Sequence, residues 1–421
     1  IVDMFKSGDI VKILIPNVIN TGYDYRLTAD ADLGSFVHVS VMNRGYVGVV
    51  IGFGDSGLDP AKIKNINGVV NFGGMSASDL LWINKMSEWT MMNPGGVLRL
   101  ILNVPDAFLP PKTEQLYSVN LGENIRMTEN RQSVIDAFAS NDNEPMSVND
   151  IQNIARVSAA VVRGMIKHNH LIPMEIRDID RVSDFVYQYR DTGSVTLNTE
   201  QQLAADEIAR HINNDFSVHL LDGITGSGKT QVYFDSAMRA YNAGKSVLLM
   251  MPEIALTAQF MTRFESRFGA KPVVWHSNLT AARRREIWRG VATGQIRMVV
   301  GTRSALFLPW QNLGLIVVDE EHDGSYKQED MGNYHARDMA ILRAAISKFP
   351  VVLASATPSA ETIKNVKSGK DRELKLTSRF GGAELPKIET IDLRTSRPDN
   401  YKLNAEDQNE PSGVLLPLIH L

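Results

Sequence analysis

The chain has 421 residues, 43% of them hydrophobic and 22% charged, with a formal net charge of −4. That balance supports sizeable cores in about two to four domains, and it excludes a wholly basic nucleic-acid coat, though not a local basic track. There is no cysteine, which excludes disulfides and thiolate-held zinc within these residues. No window reaches about eighteen apolar residues, and no basic-then-apolar leader opens the chain, so a cytoplasmic protein without membrane contact is expected.

Residues 1–105 carry short alternating apolar runs: IVKILIP, SFVHVSV and GYVGVVIGF. These read as strands of a small β-rich module, with a helix around Ser76–Met92. In NVPDAFLPPKTE, Pro105, Pro110 and Pro111 forbid a continuous helix, so this stretch reads as a linker. Within 106–190, ENRQSVIDAFAS, SVNDIQNIA and SAAVVRGMIKHN show helical periodicity, and LIPMEIR reads as a strand. Helix, helix, helix, strand is the order of a winged helix, with Ser147 and Ser158 as N-caps. A generic three-helix packing module has the same periodicity, which identifies helices and not what they touch.

From about 191 to 395 the texture changes. SVHLLDG, SVLLMMP, RMVVGT, LIVVDEE and VVLASAT alternate with helical stretches such as TAQFMTRFESRFG. Buried β-branched strands alternating with helices predict an α/β fold with a parallel sheet covered on both faces. Ligands of such sheets gather at the carboxyl edge of the strands.

At that edge lies Gly223-Ile224-Thr225-Gly226-Ser227-Gly228-Lys229-Thr230, an ungapped P-loop pattern between a strand and a helix. The glycines let backbone N–H groups turn inward around phosphates, and the helix beginning at Lys229 points its positive end at them. Lys229 supplies charge to the outer phosphates and Thr230 a hydroxyl to Mg²⁺. ATP with Mg²⁺ is the expected cofactor. In LIVVDEEH, Asp319 is the second metal ligand, Glu320 polarises the attacking water, and His322 completes the catalytic candidates. MPEIALTAQF, GTRSALF and ASATPS end neighbouring strands, placing Thr257, Thr302 and Arg303 where a polyanion would lie. Gln201, about twenty residues upstream of the P-loop, either reads an adenine edge with its amide or is a polar residue at a helix start.

The order GITGSGKT, MPEIALT, GTRSALF, DEEH, SATPS resembles the first RecA-like lobe of superfamily-two helicases. DGITGSGKT, PEIALTAQF, GTRSALFLP, VVDEEHDGSYKQED, YHARDMA and ASATPSAET are similar in wording to the PriA family of replication-restart DNA helicases. The likeness is dense over 195–395 and thin before about 190. It implies a β-rich 3′-DNA-end-binding domain, a winged helix and a P-loop helicase lobe, acting 3′ to 5′ in primosome assembly at stalled forks. By that resemblance Tyr23 stacks on the terminal base, Asp24 accepts from the terminal hydroxyl, and Lys64 stands at the family's pocket lysine. A pocket glycine appears here as Met42. The loop after DEEH is aromatic-rich in the family, senses DNA and couples it to ATP. Tyr326, Lys327, Tyr334, His335 and Arg337 stand in it, and Gly332 takes a place that is tryptophan in some members.

The family also implies forked or single-stranded DNA with a 3′ end as partner, together with other primosome proteins and single-stranded-DNA-binding protein. It implies a second lobe carrying zinc, for which these residues offer no thiol. Residues 396–421 read as a tail or the shortened start of that lobe, so the chain alone is expected to bind Mg-ATP and fork DNA without unwinding. Two other readings fit: a different superfamily-two DNA translocase, and a fork-DNA binder that does not hydrolyse ATP.

Overall fold

The computed structural model describes residues 4–377, apart from 18–21, 55–56, 58, 110–114, 121–126, 141–144, 176–188, 194–195, 214 and 330–331. The tail at 396–421 lies outside the described residues.

The first layer is antiparallel. Strands β1 (Met4–Phe5), β2 (Ile10–Leu14), β3 (Tyr23–Arg26), β4 (Ala31–Asp32), β5 (Phe36–Val41), β6 (Arg44–Phe53) and β7 (Gly68–Val69) follow in order. Five of them form one sheet, β3-β2-β6-β5-β7, while β1 pairs with β4. Alternate residues Val11, Ile13, Val37, Val39 and Val50 face inward, the period-two pattern of a half-buried sheet. Between β5 and β6, Val41 sits opposite Arg44, which leaves a two-residue turn of Met42 (φ 46) and Asn43 (φ 64). Positive φ at both central positions is the turn that matches strand twist. Here a methionine takes the place that glycine suits best.

Helix α1 (Ala77–Thr90) begins at a capping box in which the Ser76 and Asp79 side chains satisfy each other's backbone N–H. Helix α2 (Pro94–Ile101) carries proline in its first turn, where no N–H is needed. Beyond it, β8 (Gln115–Val119), α3 (Glu129–Ser140), β9 (Met146–Ser147), α4 (Val148–Ala155), α5 (Ala159–Lys167) and β10 (Leu171–Glu175) build a small unit. Its antiparallel sheet runs β10-β8-β9, and its core is Val134, Phe138, Ile151, Val162, Met165 and Leu171. Three helices on a three-stranded sheet is a winged-helix layout. Ser147 caps α4 through Asp150 N–H, whereas Ser158 makes no side-chain cap to α5.

The third unit holds α6 (Thr199–Ala209), β11 (Ser217–Gly223), α7 (Lys229–Asn242), β12 (Ser246–Met250), α8 (Ala258–Phe268) and β13 (Val274–Trp275). It continues with α9 (Ala281–Ala292), β14 (Met298–Gly301), β15 (Leu313–Asp319), the short pair β16 (Lys327–Gln328) and β17 (Tyr334–His335), α10 (Ala336–Ser347), β18 (Pro350–Ser355), α11 (Ala360–Lys367) and β19 (Arg372–Leu376). Seven strands form one parallel sheet in the order β13-β14-β12-β15-β18-β11-β19. Each central strand feeds both faces. In β12, Val247 and Leu249 join the core under α6, α7 and α8, while Leu248 and Met250 face the other side. This is the RecA-like doubly covered sheet expected from the apolar runs.

The second face does not stop at its own helices. Phe36, Trp82, Val97, Ile101 and Phe108 share one continuous core with Trp288, Trp310 and Met339. Trp82 Nε1 donates to Met339 O at 3.1 Å, and Trp288 Nε1 donates to Ile101 O at 2.9 Å. Phe108 meets Trp288 edge-on at 4.8 Å, within the stretch expected to be a linker. Val104, Ala107 and Phe108 are buried, so that stretch begins as core. Pro105 opens a short 3-10 turn there, and the apolar side chains of that turn seal the β-rich module against the parallel-sheet lobe.

Candidate functional site

Sheet register gathers the site. Asp319 pairs with Ala354, and Asp222 pairs with Ser355 on the other side of the same strand, β18. The P-loop and the DEEH carboxylates therefore stand one strand apart at the carboxyl edge, a gap of about 10 Å.

In the P-loop, Gly226 (φ 83) and Gly228 (φ 86) take left-handed conformations that turn the backbone around an anion. Gly223 is buried and packs on Ser227: a Cβ there would stand 2.5 Å from Ser227 Oγ. Ile224, Thr225 and Gly226 form the exposed rim of the loop. Lys229 Nζ folds back onto Gly223 O at 2.6 Å. Burial holds its ammonium below the usual lysine range, against the pull of Glu320, Asp319 and Asp222. A nucleoside triphosphate with a divalent cation fits these residues. Helix α7 starts without a side-chain cap, and the buried Ser227 hydroxyl has no protein partner.

Gln201 is fully buried, and its amide is engaged at both ends. Nε2 donates to Ser227 O at 2.9 Å, and Oε1 accepts from Asn198 N at 3.0 Å. It braces the P-loop from the capping box at the start of α6, the place the helix-start reading gives it.

Across β18, Asp319 Oδ2 accepts from Tyr233 Oη at 2.9 Å, and Oδ1 accepts from Glu320 N at 3.1 Å. Burial pushes this carboxyl up to about 6, and Glu320 adds to the rise, while Tyr233 and Lys229 oppose it. Glu320 sits at φ 47, a left-handed conformation that non-glycine residues adopt at a cost of about 1–3 kcal/mol. Its neighbours hold it there: Asp323 N donates to Glu320 O at 2.8 Å and Glu321 N to Ala354 O at 3.1 Å. The Glu320 carboxylate is 43% exposed and lies 3.7 Å from His322 Nδ1, open to water on its other side. His322 bonds Ser355 Oγ at 2.8 Å and Thr357 Oγ1 at 3.3 Å. It ties DEEH to SATPS beside the Glu320 carboxylate.

Glu321 is fully buried. It accepts from Arg337 Nη1 (2.8 Å), Ser359 N (2.6 Å) and Thr362 Oγ1 (3.0 Å). Burial raises its carboxyl, but these donors outweigh burial and leave it below the usual range. Arg337 was expected on DNA; it is 7% exposed and spent on Glu321, Asp338 and Ser359. Tyr326 was also expected on DNA; it is buried, with its hydroxyl 2.5 Å from Asp319 O and 3.1 Å from Met250 O. Tyr334 is buried too, edge-on to Phe307 at 5.3 Å. In a loop folded this tightly the aromatics pack inward, because burying a ring outweighs leaving it in water. Lys327 remains exposed beside Glu329 at 2.7 Å. Arg303 is half-buried and donates to Ser325 O (3.0 Å) and Lys327 O (2.6 Å). Gly332 (φ 123) lies against Met92: a Cβ there would stand 2.2 Å from its Sδ, so a tryptophan has no room unless Met92 moves.

Arg303 and Thr302 line a 340 Å³ cleft with Met251, Glu253, Ile254 and Ser325, beside the nucleotide edge. Thr257 is occupied capping α8, accepting from Phe260 N at 3.2 Å. In the β-rich module, Tyr23 and Asp24 lie on β3, and Arg26 N bonds Lys64 O at 2.9 Å, so Lys64 runs alongside that strand with its side chain exposed. Tyr23 is half-buried against the module's core.

Residues 198–366 match the DEAD/DEAH box helicase family, and residues 12–103 match the 3′DNA-binding domain (3′BD) found in PriA. The replication restart protein PriA of Rickettsia prowazekii is 33% identical over 399 residues, covering 94% of this chain and 50% of that protein. The chain belongs to the PriA family. The PriA of Haemophilus influenzae is 46% identical over 225 residues, 53% of this chain and 29% of that protein. The Bacillus subtilis PriA is 37% identical over 244 residues, 57% of this chain and 29% of its own. This chain thus spans about half the length of the Rickettsia prowazekii PriA. RecG bound to a three-way DNA junction gives a TM-score of 0.35 at 22% identity, over 49% of this chain and 29% of that one. The two matched families fall on the β-rich module and on the parallel-sheet lobe that carries the P-loop. Among the described residues, no helix is long and apolar enough to cross a membrane.

Proposed function

We propose that this chain forms the 3′-end-binding module and ATP-hydrolysing first lobe of a 3′-to-5′ replication restart DNA helicase. Bound Mg-ATP supplies the phosphoryl group and the cation that neutralises its charge. Gly226 and Gly228 shape the loop around the phosphates, and Lys229 leaves Gly223 O to reach them. Thr230 and Asp319 hold the cation, and Glu320 orients the attacking water. Arg303 and Lys327 contact DNA phosphates at the neighbouring cleft, while Tyr23, Asp24 and Lys64 take a free 3′ end. Forked DNA is the substrate, with other primosome proteins and single-stranded-DNA-binding protein as cytoplasmic partners.

The observation that carries this reading is the register placing Asp319 and the P-loop one strand apart. The test is phosphate release by the chain with and without forked DNA, alongside Lys229→Ala. Mg-ATP binding lost in a folded Lys229→Ala supports the site. DNA that fails to stimulate release in a chain that binds Mg-ATP leaves a fork-DNA-binding module in place of a helicase lobe.

A further inference from the structure

Tyr233 sits one turn into α7, a place where an aromatic reads as core. Its side chain is fully buried. Unlike neighbouring Phe234, it carries a hydroxyl, and that hydroxyl has specific partners. Tyr233 Oη donates to Asp319 Oδ2 at 2.9 Å, from 86 residues away in sequence. That oxygen therefore fixes a carboxylate assigned to the metal, from the helical turn that follows Thr230.

The bond has a direction: the phenol gives its proton to Asp319. Asp319 then has one oxygen fixed by Tyr233 and the other by Glu320 N at 3.1 Å. Burial raises the phenol well above its usual range, so it remains a donor at working pH. Tyr326 completes the grip: its hydroxyl lies 2.5 Å from the Asp319 carbonyl. Groups that orient a ligand in this way typically change metal affinity by about 10–100-fold when removed.

We propose that Tyr233 is a positioning residue for the catalytic cation, holding Asp319 in the geometry that accepts Mg²⁺ with the nucleotide. The proposal rests on the nucleotide-site reading above. It concerns a residue that touches neither substrate nor metal and acts through one that does.

The test is Mg²⁺ titration of the binding of a fluorescent ATP analogue to the full chain, with an EDTA arm. In Tyr233→Phe, half-saturating Mg²⁺ should rise about tenfold, while metal-free nucleotide binding stays as in the wild type. Placing 4-aminophenylalanine at 233 keeps an N–H donor and should restore the wild-type midpoint. Placing 4-methylphenylalanine there fills the hydroxyl's space without a donor and should repeat the loss, which keeps the test intact if the phenylalanine variant fails to fold. A wild-type Mg²⁺ midpoint in the variants lacking the donor overturns the proposal. A wild-type chain that binds the nucleotide without regard to Mg²⁺ overturns the nucleotide-site reading, and this proposal with it.

Discussion

Arg337 donates to Glu321 at 2.8 Å with both side chains inside the lobe. The pair joins the start of α10 to the residue after Glu320, and Ser359 and Thr362 lock it to α11. Removing one partner of a buried ion pair leaves the other uncompensated, at a cost of about 3–5 kcal/mol. Arg337→Ala is expected to lose about 3 kcal/mol in urea unfolding, because Ser359 and Thr362 still serve Glu321. Glu321 sits below the usual carboxyl range, so its stabilisation is present above its unfolded value and lost as pH falls through the folded one. Arg337→Ala should therefore unfold at higher pH on acid titration. Unchanged stability together with lost DNA binding would restore Arg337 to the DNA track.

Five of the parallel strands, β11, β12, β14, β15 and β18, were legible because each is an apolar run buried on both faces. The edge strand β19 (RELKL) is largely exposed and was not. The P-loop was legible because its glycines and Lys229 stand in fixed order. β8 was not legible: QLYSV is short and half-buried, with no clean alternation. The partners of Arg337 and Tyr326, placed near DNA by resemblance, and of Gln201, read from its amide or as a helix-start residue, were not legible locally. A buried polar side chain is settled by a partner far along the chain. Glu321 meets Ser359 38 residues on, and Tyr233 meets Asp319 86 residues on. Nothing local marks either contact.

Met42 is 89% exposed at φ 46 in the two-residue turn joining β5 and β6. Its side chain gains little from burial, while its backbone carries left-handed strain of about 1–2 kcal/mol. Glycine removes that strain but adds freedom to the unfolded chain. Met42→Gly is expected to stabilise the protein by about 0.5 kcal/mol net, read as a raised thermal midpoint. A lowered midpoint would mean that the methionine packs in a way its exposure does not reveal.

Asp79 and Arg343 bind the β-rich module to the helicase lobe. Arg343 Nη2 donates to Asp79 Oδ1 at 2.6 Å and Nη1 to Leu306 O at 2.6 Å, with the guanidinium 4.7 Å over the Trp82 ring. Both side chains are buried. The two units share one core, so they should unfold together. Tryptophan fluorescence and far-ultraviolet circular dichroism are expected to give one midpoint in the wild type. Asp79→Ala, which strands a buried guanidinium, should lower that midpoint and cost about 3 kcal/mol of unfolding free energy. If the β-rich module melts in a separate, earlier step, the shared core is not cooperative.

Asp319 carries the clearest pH signature. Burial lifts its carboxyl to about 6, so in the metal-free protein the anion still forms at neutral pH but is held there at a cost to stability. The sign follows from linkage: a raised folded value gives stability present below the unfolded value and lost as pH rises through about 6. Asp319→Asn removes the charge and keeps the shape. In EDTA at pH 7.5 it should stabilise the protein by about 1–2 kcal/mol, a shift of roughly two units discounted because the site is partly open to water. Near pH 5 the gain should shrink, since the wild type is then largely protonated. The same variant should lose Mg²⁺-dependent nucleotide binding. Urea unfolding at the two pH values separates the causes. A gain that grows with pH is the buried charge, and a gain equal at both is a packing change that leaves the electrostatic account without support.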